Sequence, residues 1–524
     1  MASPKASFAN LDALIPRADL FETPTTTTAD TPVIRITDLE PGITYDMLRK
    51  PDFQRETANW TPHQIARLVQ TFCDSDIIPA VILWQNGSQL FVVDGAHRLS
   101  ALIAWIRNDY GAGSLSQSFF HGEIPERQRE LHEQTAALIE ASVGSWQTYK
   151  GSNPIINLKD VRIQWIKDYD AEQTAEAFIR INQGGTVIEP LEERILRAKR
   201  SALSVATRVV AHGGKGHEYW SHFERDRSKQ QTPKIGSEIY KLLFEPTLKS
   251  PIKTPDVPLG GIGYGLGVLR LSFDYIAISN ELAVPDSSRS NVDPKLPEDT
   301  KGSVTVKYLR ETKRVSQLLL SNRPASLGLH PALYVYTAGG SFQAAALLNV
   351  AAWVLDMEKR QRLDTFRRVR GAFERLLVQH PAIAKPAAHK LGSGARTRKR
   401  MLDVLNRAVD LSAKNNSTAK AWKSLKQEFP HLAAEEKDEK EAARAGQPGA
   451  KFSVGMKSAL SLADWSLVPK CPLCGGFLHV NGKVVDHATK RSDGGSSARS
   501  NARWVHPICN SNRDKDEMHV AKQG

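Results

Sequence analysis

The sequence predicts an α+β protein of several units, and three observations predict it. Val33-Ile34-Arg35-Ile36 alternates as a strand should, and Ala80–Trp84, Gln89–Val93 and Val161–Trp165 read as further strands. Helical periodicity dominates the middle of the chain. Near the C-terminal end, Cys471-Pro-Leu-Cys474 is answered by His506-Pro-Ile-Cys509, two short pairs of soft or borderline metal ligands. At 524 residues the chain exceeds one ordinary core and should divide into two to four units.

Taken in order, residues 1–31, with the run Thr25–Thr28, read as a mobile tail. Residues 32–200 read as the first folded unit. The strand at Val33 is followed by a helix over Pro62–Cys73, with Thr61 as N-cap, Pro62 in the first turn, and Ile65, Leu68, Val69 and Phe72 on one face. Asn86-Gly87 joins the next two strands as a hairpin turn. The second of these runs through Asp94-Gly95-Ala96-His97-Arg98 into a helix, Leu99–Arg107. A strand at Val161–Trp165, a helix at Ala171–Ile181, a Gly184-Gly185 turn and a helix from Glu189 complete the unit.

Residues 201–411 read as a helical domain, broken by the Pro/Gly-rich stretch 251–267. Gly261, Gly263, Gly265 and Gly267 fit a loop and no dinucleotide fingerprint, and the chain has no Walker A sequence. The apolar run Ala344–Leu355 is too short to span a bilayer and reads as a buried helix. Two basic segments, Arg367–Arg370 and Arg396–Arg400, are candidates for DNA contact. Residues 412–450 form a charged linker ending in Gly446-Gln447-Pro448-Gly449. In the last unit, 451–524, the alternation over Phe477–Asp486 around Asn481-Gly482 predicts a hairpin, and a helix begins near Asn510, giving a β-β-α module.

A net charge of +13, from 70 Lys and Arg against 57 Asp and Glu, favours a polyanionic partner, because bound cations release counterions from phosphates. Three of the four cysteines fall in the C-terminal cluster and only Cys73 remains, so no disulfide framework is indicated and a reducing cytoplasm is expected. Met1 to Asp30 lacks an apolar signal core and no apolar run could cross a membrane, so no membrane partner is expected.

Cys471, Cys474, His506 and Cys509 supply the four ligands of a closed tetrahedral Zn²⁺ site. A β-β-α module alone buries little, and structural zinc contributes about 10–16 kcal/mol in small domains. Between and beside the ligands stand Asp486-His487, Gly494-Gly495, Asn501 and Asn510. This set resembles an HNH (His-Me finger) nuclease built on a zinc knuckle. The resemblance implies that His487 is the base activating water and that Asp486 and Asn510 hold a catalytic Mg²⁺ or other divalent ion. Asn501 would orient His487 or tie down the loop. Lys490, Arg491, Arg499, Arg503 and Arg513 are placed to meet backbone phosphates. A knuckle that binds DNA without cutting it is the plainer alternative.

In the first unit, Gly95 permits a sharp strand-to-helix turn and the new helix N-terminus offers unpaired N–H groups to an anion. Arg98 can fork onto a phosphate, and Asp94 can orient a metal, a water or a ribose hydroxyl. The same residues also fit a purely structural role, Asp94 capping the helix and Arg98 in an ion pair. Phe53-Gln54-Arg55, Trp60, Pro79-Ala80-Val81, Val92-Val93-Asp94-Gly95 with Arg98-Leu99, and Phe178 to Thr186 resemble the ParB/sulfiredoxin-like nucleotidase domain of GmrSD-type restriction enzymes. The resemblance implies a bound nucleoside triphosphate, with Gln54, Arg55, Asp94, Gly95 and Arg98 lining its phosphate site and Arg180 and Asn182 nearby. His97 would be a phosphate contact, an acid catalyst or a structural residue. Ala96 and His97 stand where that family usually has glutamines.

Together the two resemblances lead us to expect a nucleotide-dependent or nucleotide-regulated DNA endonuclease of restriction or anti-phage defence, acting on foreign or modified DNA. Two alternatives stand beside it. In one, the ParB-like domain is itself the acting nuclease or nucleotidase and the zinc module anchors DNA. In the other, the chain is a non-enzymatic, nucleotide-controlled DNA clamp.

Overall fold

Six short strands of the N-terminal third pair into one mixed sheet. The computed structural model describes residues 8–18, 31–51, 58–183, 189–287, 296–385, 395–414, 417–432 and 452–514. The strands are β1 (Arg17–Ala18), β2 (Val33–Arg35), β3 (Leu48–Pro51), β4 (Val81–Asn86), β5 (Gln89–Asp94) and β6 (Asp160–Ile166), in the order β1-β3-β5-β4-β6-β2. The hairpin β4–β5 turns at Gly87 and Ser88, with Asn86 facing Gln89; β3 runs parallel to β5 and β6 parallel to β4. Alternation decides which core each side chain enters. Leu90 and Val92 join Ile65, Val69, Leu99 and Leu102 on one face, while Phe91 and Val93 meet Trp84, Phe178 and Leu196 on the other. The helix Pro62–Cys73 forms as expected, with Thr61 and Gln64 in a reciprocal capping box.

Residues 8–18 correct the expectation of a mobile tail over 1–31. Ala9, Leu11, Leu14 and Ile15 are buried, and β1 pairs in parallel with β3. Asp12 lies between Arg17 at 2.7 Å and Lys50 at 2.6 Å. Burial by itself would raise its pKa, but the two cations outweigh that and hold the carboxyl well below its usual range. An apolar segment with its charge paired has more to gain from docking than from solvent.

The middle of the chain is helical, from Ala202–Ala211 through Asp226–Phe244, Leu266–Ser279, Ser303–Leu319, Ala344–Lys359 and Leu363–Gln379 to Ala395–Lys414 and Thr418–Glu428. The glycine-rich stretch is a loop up to Gly265, which caps the helix starting at Leu266. Helix Ala344–Lys359 is buried through Leu347, Val350, Trp353 and Val354, as its composition predicts. The segment Arg367–Arg370 is not a DNA-facing patch. Arg367 is buried and paired with Asp364, Arg368 also reaches Asp364, and Arg370 is buried on Glu374. The linker expected over 412–450 is corrected in its first half: Ala421, Trp422, Leu425 and Leu432 are buried in the core of the helical body, while residues 415–416 and 433–450 lie outside the described residues.

The helix Pro190–Arg197 belongs to both bodies. Leu196 packs in the cluster under the sheet, whereas Leu191 and Ile195 enter the core of the helical body. Around it, Arg197 bonds Glu176 at 3.1 Å and Tyr264 Oη donates to Phe8 O at 2.8 Å.

The C-terminal segment departs from the predicted hairpin. Its strands are β7 (Val484–His487) and β8 (Ala502–Val505), antiparallel, with Asp486 opposite Arg503 and His487 opposite Ala502. The helix Pro507–Ser511 follows. Phe477 makes only an isolated bridge to Lys470, and Val480–Gly482 is a 3-10 turn. The reason lies in the helical body, which takes up the polar groups of this stretch. His479 Nε2 lies 3.1 Å from Val257 O, Val480 N donates to Asp256 and Asn481 Nδ2 to Glu245 O.

Nor does this unit stand apart from the helical body. Cys471, Phe477, Leu478, Val505, Ile508 and Cys509 belong to the same buried cluster as the helical body. Arg370 and Glu374 tie the seam. Arg370 Nε donates to Glu374 Oε1 at 2.7 Å, Glu374 Oε2 accepts Phe477 N at 2.6 Å, and Gly371 N donates to Cys474 O at 3.0 Å. Burial opposes the Arg370 charge, and Glu374 more than restores it. Removing Glu374 strands a buried guanidinium, which costs about 3–5 kcal/mol. Glu374→Ala should therefore lower stability by about that amount in denaturant unfolding; a loss below about 1 kcal/mol would mean the pair is not a structural clamp.

Candidate functional site

The C-terminal cluster is built by a tight turn and a strand-to-helix junction. Gly475 N donates to Cys471 O and Cys471 N to Gly476 O, both at 2.8 Å, curling the chain so that two cysteine side chains converge. Gly475 takes φ +72°, a conformation glycine adopts without strain. From the other side, β8 delivers His506 and the first turn of the short helix delivers Cys509. The ligand atoms of Cys471, Cys474, His506 and Cys509 all lie within 4.8 Å of one another.

The chemistry of these donors suits Zn²⁺. His506 Nε2 is 2.9 Å from Phe477 O, so its N–H donates there and Nδ1 is turned towards the sulfurs, 3.3 Å from Cys474 Sγ. Such an outer hydrogen bond fixes the tautomer a metal-binding histidine needs. Burial holds His506 below its usual titration range, in the neutral form. Hydrogen bonds from Cys474 and Cys509 hold the Cys471 thiol well below its usual range.

Asp486, His487, Asn501 and Asn510 lie on the elements flanking this cluster. Alternation along β7 buries Asp486 and leaves His487 half-buried on the opposite face. The Asp486 carboxylate accepts Arg503 Nε at 2.9 Å and Arg513 Nη1 at 3.2 Å. Asp486 and Asn510 offer the hard oxygen donors a divalent ion needs, but Asp486 would have to exchange its arginines for the ion. Asn501 has its side chain committed to the loop: Oδ1 accepts Thr489 N at 2.6 Å, and Nδ2 donates to Thr489 O at 3.1 Å and Ser496 O at 2.7 Å. Of its two expected roles, this is the tying of the loop. Asn510 is exposed on the helix just after Cys509.

Three of the five basic residues expected on phosphates are engaged within the protein. Arg503 and Arg513 serve Asp486, and Lys490 pairs with Asp514. Arg491 and Arg499 are exposed.

At the N-terminal site, Gly95 at φ +93° is the N-cap of the helix Ala96–Arg107. A Cβ there would stand 2.6 Å from Val81 Cγ1, so only glycine lets the turn cross β4. Asp94 makes no capping bond; its Oδ2 accepts Arg98 Nη2 at 2.5 Å, and the same nitrogen donates to Ala80 O at 3.2 Å. The two side chains keep 35% and 18% exposure, so the pair borders solvent. His97 is half-buried with its ring 5.6 Å from that of Trp60. Arg180 is exposed on the helix Ala171–Gln183. Gln54 and Arg55 lie outside the described residues, as does the side chain of Asn182. A cavity of about 400 Å³ opens between this unit and the helical body, lined by Phe178, Glu192, Arg208, Tyr240 and Tyr264 among others, but not by Asp94 or Arg98.

Residues 39–199 match the family of the GmrSD restriction endonuclease, N-terminal domain. No curated protein and no solved structure matches the chain. The GmrSD-type match takes in β3 to β6, the Asp94–Arg98 loop and the bridging helix Pro190–Arg197. The family is one of restriction endonucleases, so DNA is its substrate class. The zinc-compatible cluster lies beyond the matched residues, at the far end of the same chain. No helix among the described residues is long and apolar enough to cross a membrane.

Sequence reasoning missed Arg370 and Glu374 as neighbours of the cluster. Their i, i+4 spacing signals only an ordinary helix-surface pair; what places them is the knuckle packed over them.

The cluster yields a direct test. Metal analysis of the full chain should find about one tightly held zinc. Cys471→Ser should lose it and lower the melting temperature of the helical body as well, because the two share a core. A protein without zinc, or a variant that retains it, would exclude the four-ligand site.

Proposed function

We propose that the chain is a nucleotide-regulated DNA endonuclease of a GmrSD-like restriction or anti-phage defence system, with an HNH centre at its C-terminal end. The observation that carries this reading is one chain bearing both a GmrSD-type N-terminal domain and a Cys3His cluster flanked by Asp486-His487, Asn501 and Asn510. In this reading His487 takes the proton from the attacking water. Asp486 and Asn510 would hold a divalent ion of the Mg²⁺ type, which when bound stabilises charge on the phosphate. Asn501 keeps the intervening loop folded, and the Cys3His cluster holds the frame that carries all four.

At the other end, Asp94, Gly95 and Arg98 would form the cradle for a nucleoside triphosphate, and the family resemblance would add Gln54, Arg55 and His97 to it, with Arg180 and Asn182 nearby. Phosphate entry would exchange Arg98's bond to Asp94 for a bond to phosphate. The C-terminal residues have no chemical need of a triphosphate, so nucleotide acts by favouring one arrangement of the bodies through differential affinity. A cytoplasmic location follows for an enzyme that meets incoming DNA.

His487→Ala should abolish DNA cleavage, a loss on the order of a hundredfold or more, while zinc content and melting stay at the parent's values. Near-normal cutting by that variant would end the HNH assignment. Separately, Asp94→Ala and Arg98→Ala should each weaken triphosphate binding and alter cleavage by the full-length chain, as read by calorimetry and by plasmid cutting with and without each triphosphate. Identical behaviour of parent and both variants across all triphosphates would show that the N-terminal cradle plays no part in cutting.

A further inference from the structure

The outer face of the β7–β8 hairpin carries an aromatic residue that the core does not use. Antiparallel register pairs Val485 with Trp504 and His487 with Ala502 on that face, while Asp486 and Arg503 point to the other. Val485 is 54% and Trp504 48% exposed. The same unit buries Phe477, Leu478, Val505 and Ile508, so an apolar interior lies one residue away and Trp504 is turned from it. Lys483 Nζ stands 4.8 Å from the centre of the Trp504 ring, a cation over one π-face of a half-exposed indole. Arg491 and Arg499, in the loop between the two strands, add exposed positive charge.

Diagonal neighbours on one face of an antiparallel pair lie about 7–8 Å apart, which places Trp504 within a nucleotide's reach of His487. From this geometry we infer that Trp504 is a stacking platform for an unpaired nucleobase of the DNA strand being cut, with Lys483 on the adjoining phosphate. The inference rests on the reading of His487 as the catalytic base. An intact duplex keeps its bases stacked on one another, so the ring takes a base only from a gap, a frayed end or an extruded nucleotide. Every base has a π-face, so the platform tolerates any sequence. Trp504 therefore positions the strand and favours distorted or single-stranded DNA near the scissile phosphate.

Binding isolates this from catalysis. Full-length protein carrying His487→Ala, which cannot cut in this reading, is titrated by fluorescence anisotropy with a labelled single-stranded oligonucleotide and with the same sequence as a duplex. Adding Trp504→Ala should weaken single-strand binding about tenfold, whereas Trp504→Phe, which keeps a ring, should stay within about threefold of the parent. Duplex binding should barely change. Because Trp504 is half-exposed, zinc content and melting should match the parent. Equal single-strand affinity with Ala and Trp at this position overturns the platform, and so does an equal loss on single strand and duplex. A parent that binds neither DNA overturns the platform and the nuclease reading together. A protein with intact His487 that never cuts, yet binds single strands through Trp504, sinks the nuclease reading and overturns the platform's role in cutting, leaving Trp504 as a single-strand binding residue alone.

Discussion

The buried contact between Glu374 and the backbone of Phe477 fixes where the Cys3His cluster sits. One carboxylate oxygen takes the Phe477 N–H and the other takes Arg370 and the Tyr334 hydroxyl at 2.9 Å. Phe477 in turn accepts from His506 through its carbonyl. Phe477 thus links the helical body to His506 of the Cys3His cluster by two hydrogen bonds, one at its N–H and one at its carbonyl. Buried charge is tolerated here because every partner is satisfied; a half-satisfied network would cost more than an apolar seam. The position of His487 and Asp486 follows from that seating, since β7 leaves the knuckle only a few residues later.

Much of the N-terminal fold was legible in the sequence, because its signals are local. Alternation marked β6, the Asn86-Gly87 turn signal marked the β4–β5 pair, Thr61 and Pro62 marked a helix start, and Gly95 marked a sharp turn into a helix. Residues 8–18 were illegible for the opposite reason. Their strand is two residues long and their stabilising partners, Lys50 and the β3 backbone, come from elsewhere in the chain. The Cys3His quartet was readable from spacing alone. The hairpin beside it was not: Asn481-Gly482 carries a good local turn signal, but the pairing depends on His479, Val480 and Asn481 finding partners in the helical body.

Charge was the least reliable guide to contact. Arg367, Arg370, Arg503 and Arg513 look alike in a sequence, and each is spent on an internal carboxylate. Burial separates them from Arg491 and Arg499, and burial is set by tertiary packing. The same limit applies to Trp504. Its position on a strand was visible only once β8 was known to pair with β7, since the register decides which face it occupies.

The bridging helix Pro190–Arg197 has a mechanical consequence. It is about 12 Å long, with Leu196 set in one core and Leu191 and Ile195 in another. Arg194 adds a second anchor, bonding Asp286 O at 2.8 Å and lying over Phe273. Turning this rod about its own axis would draw apolar side chains out of one core or the other. The N-terminal unit and the helical body are therefore geared against roll, and a displacement of the sheet reaches the helices as push or tilt.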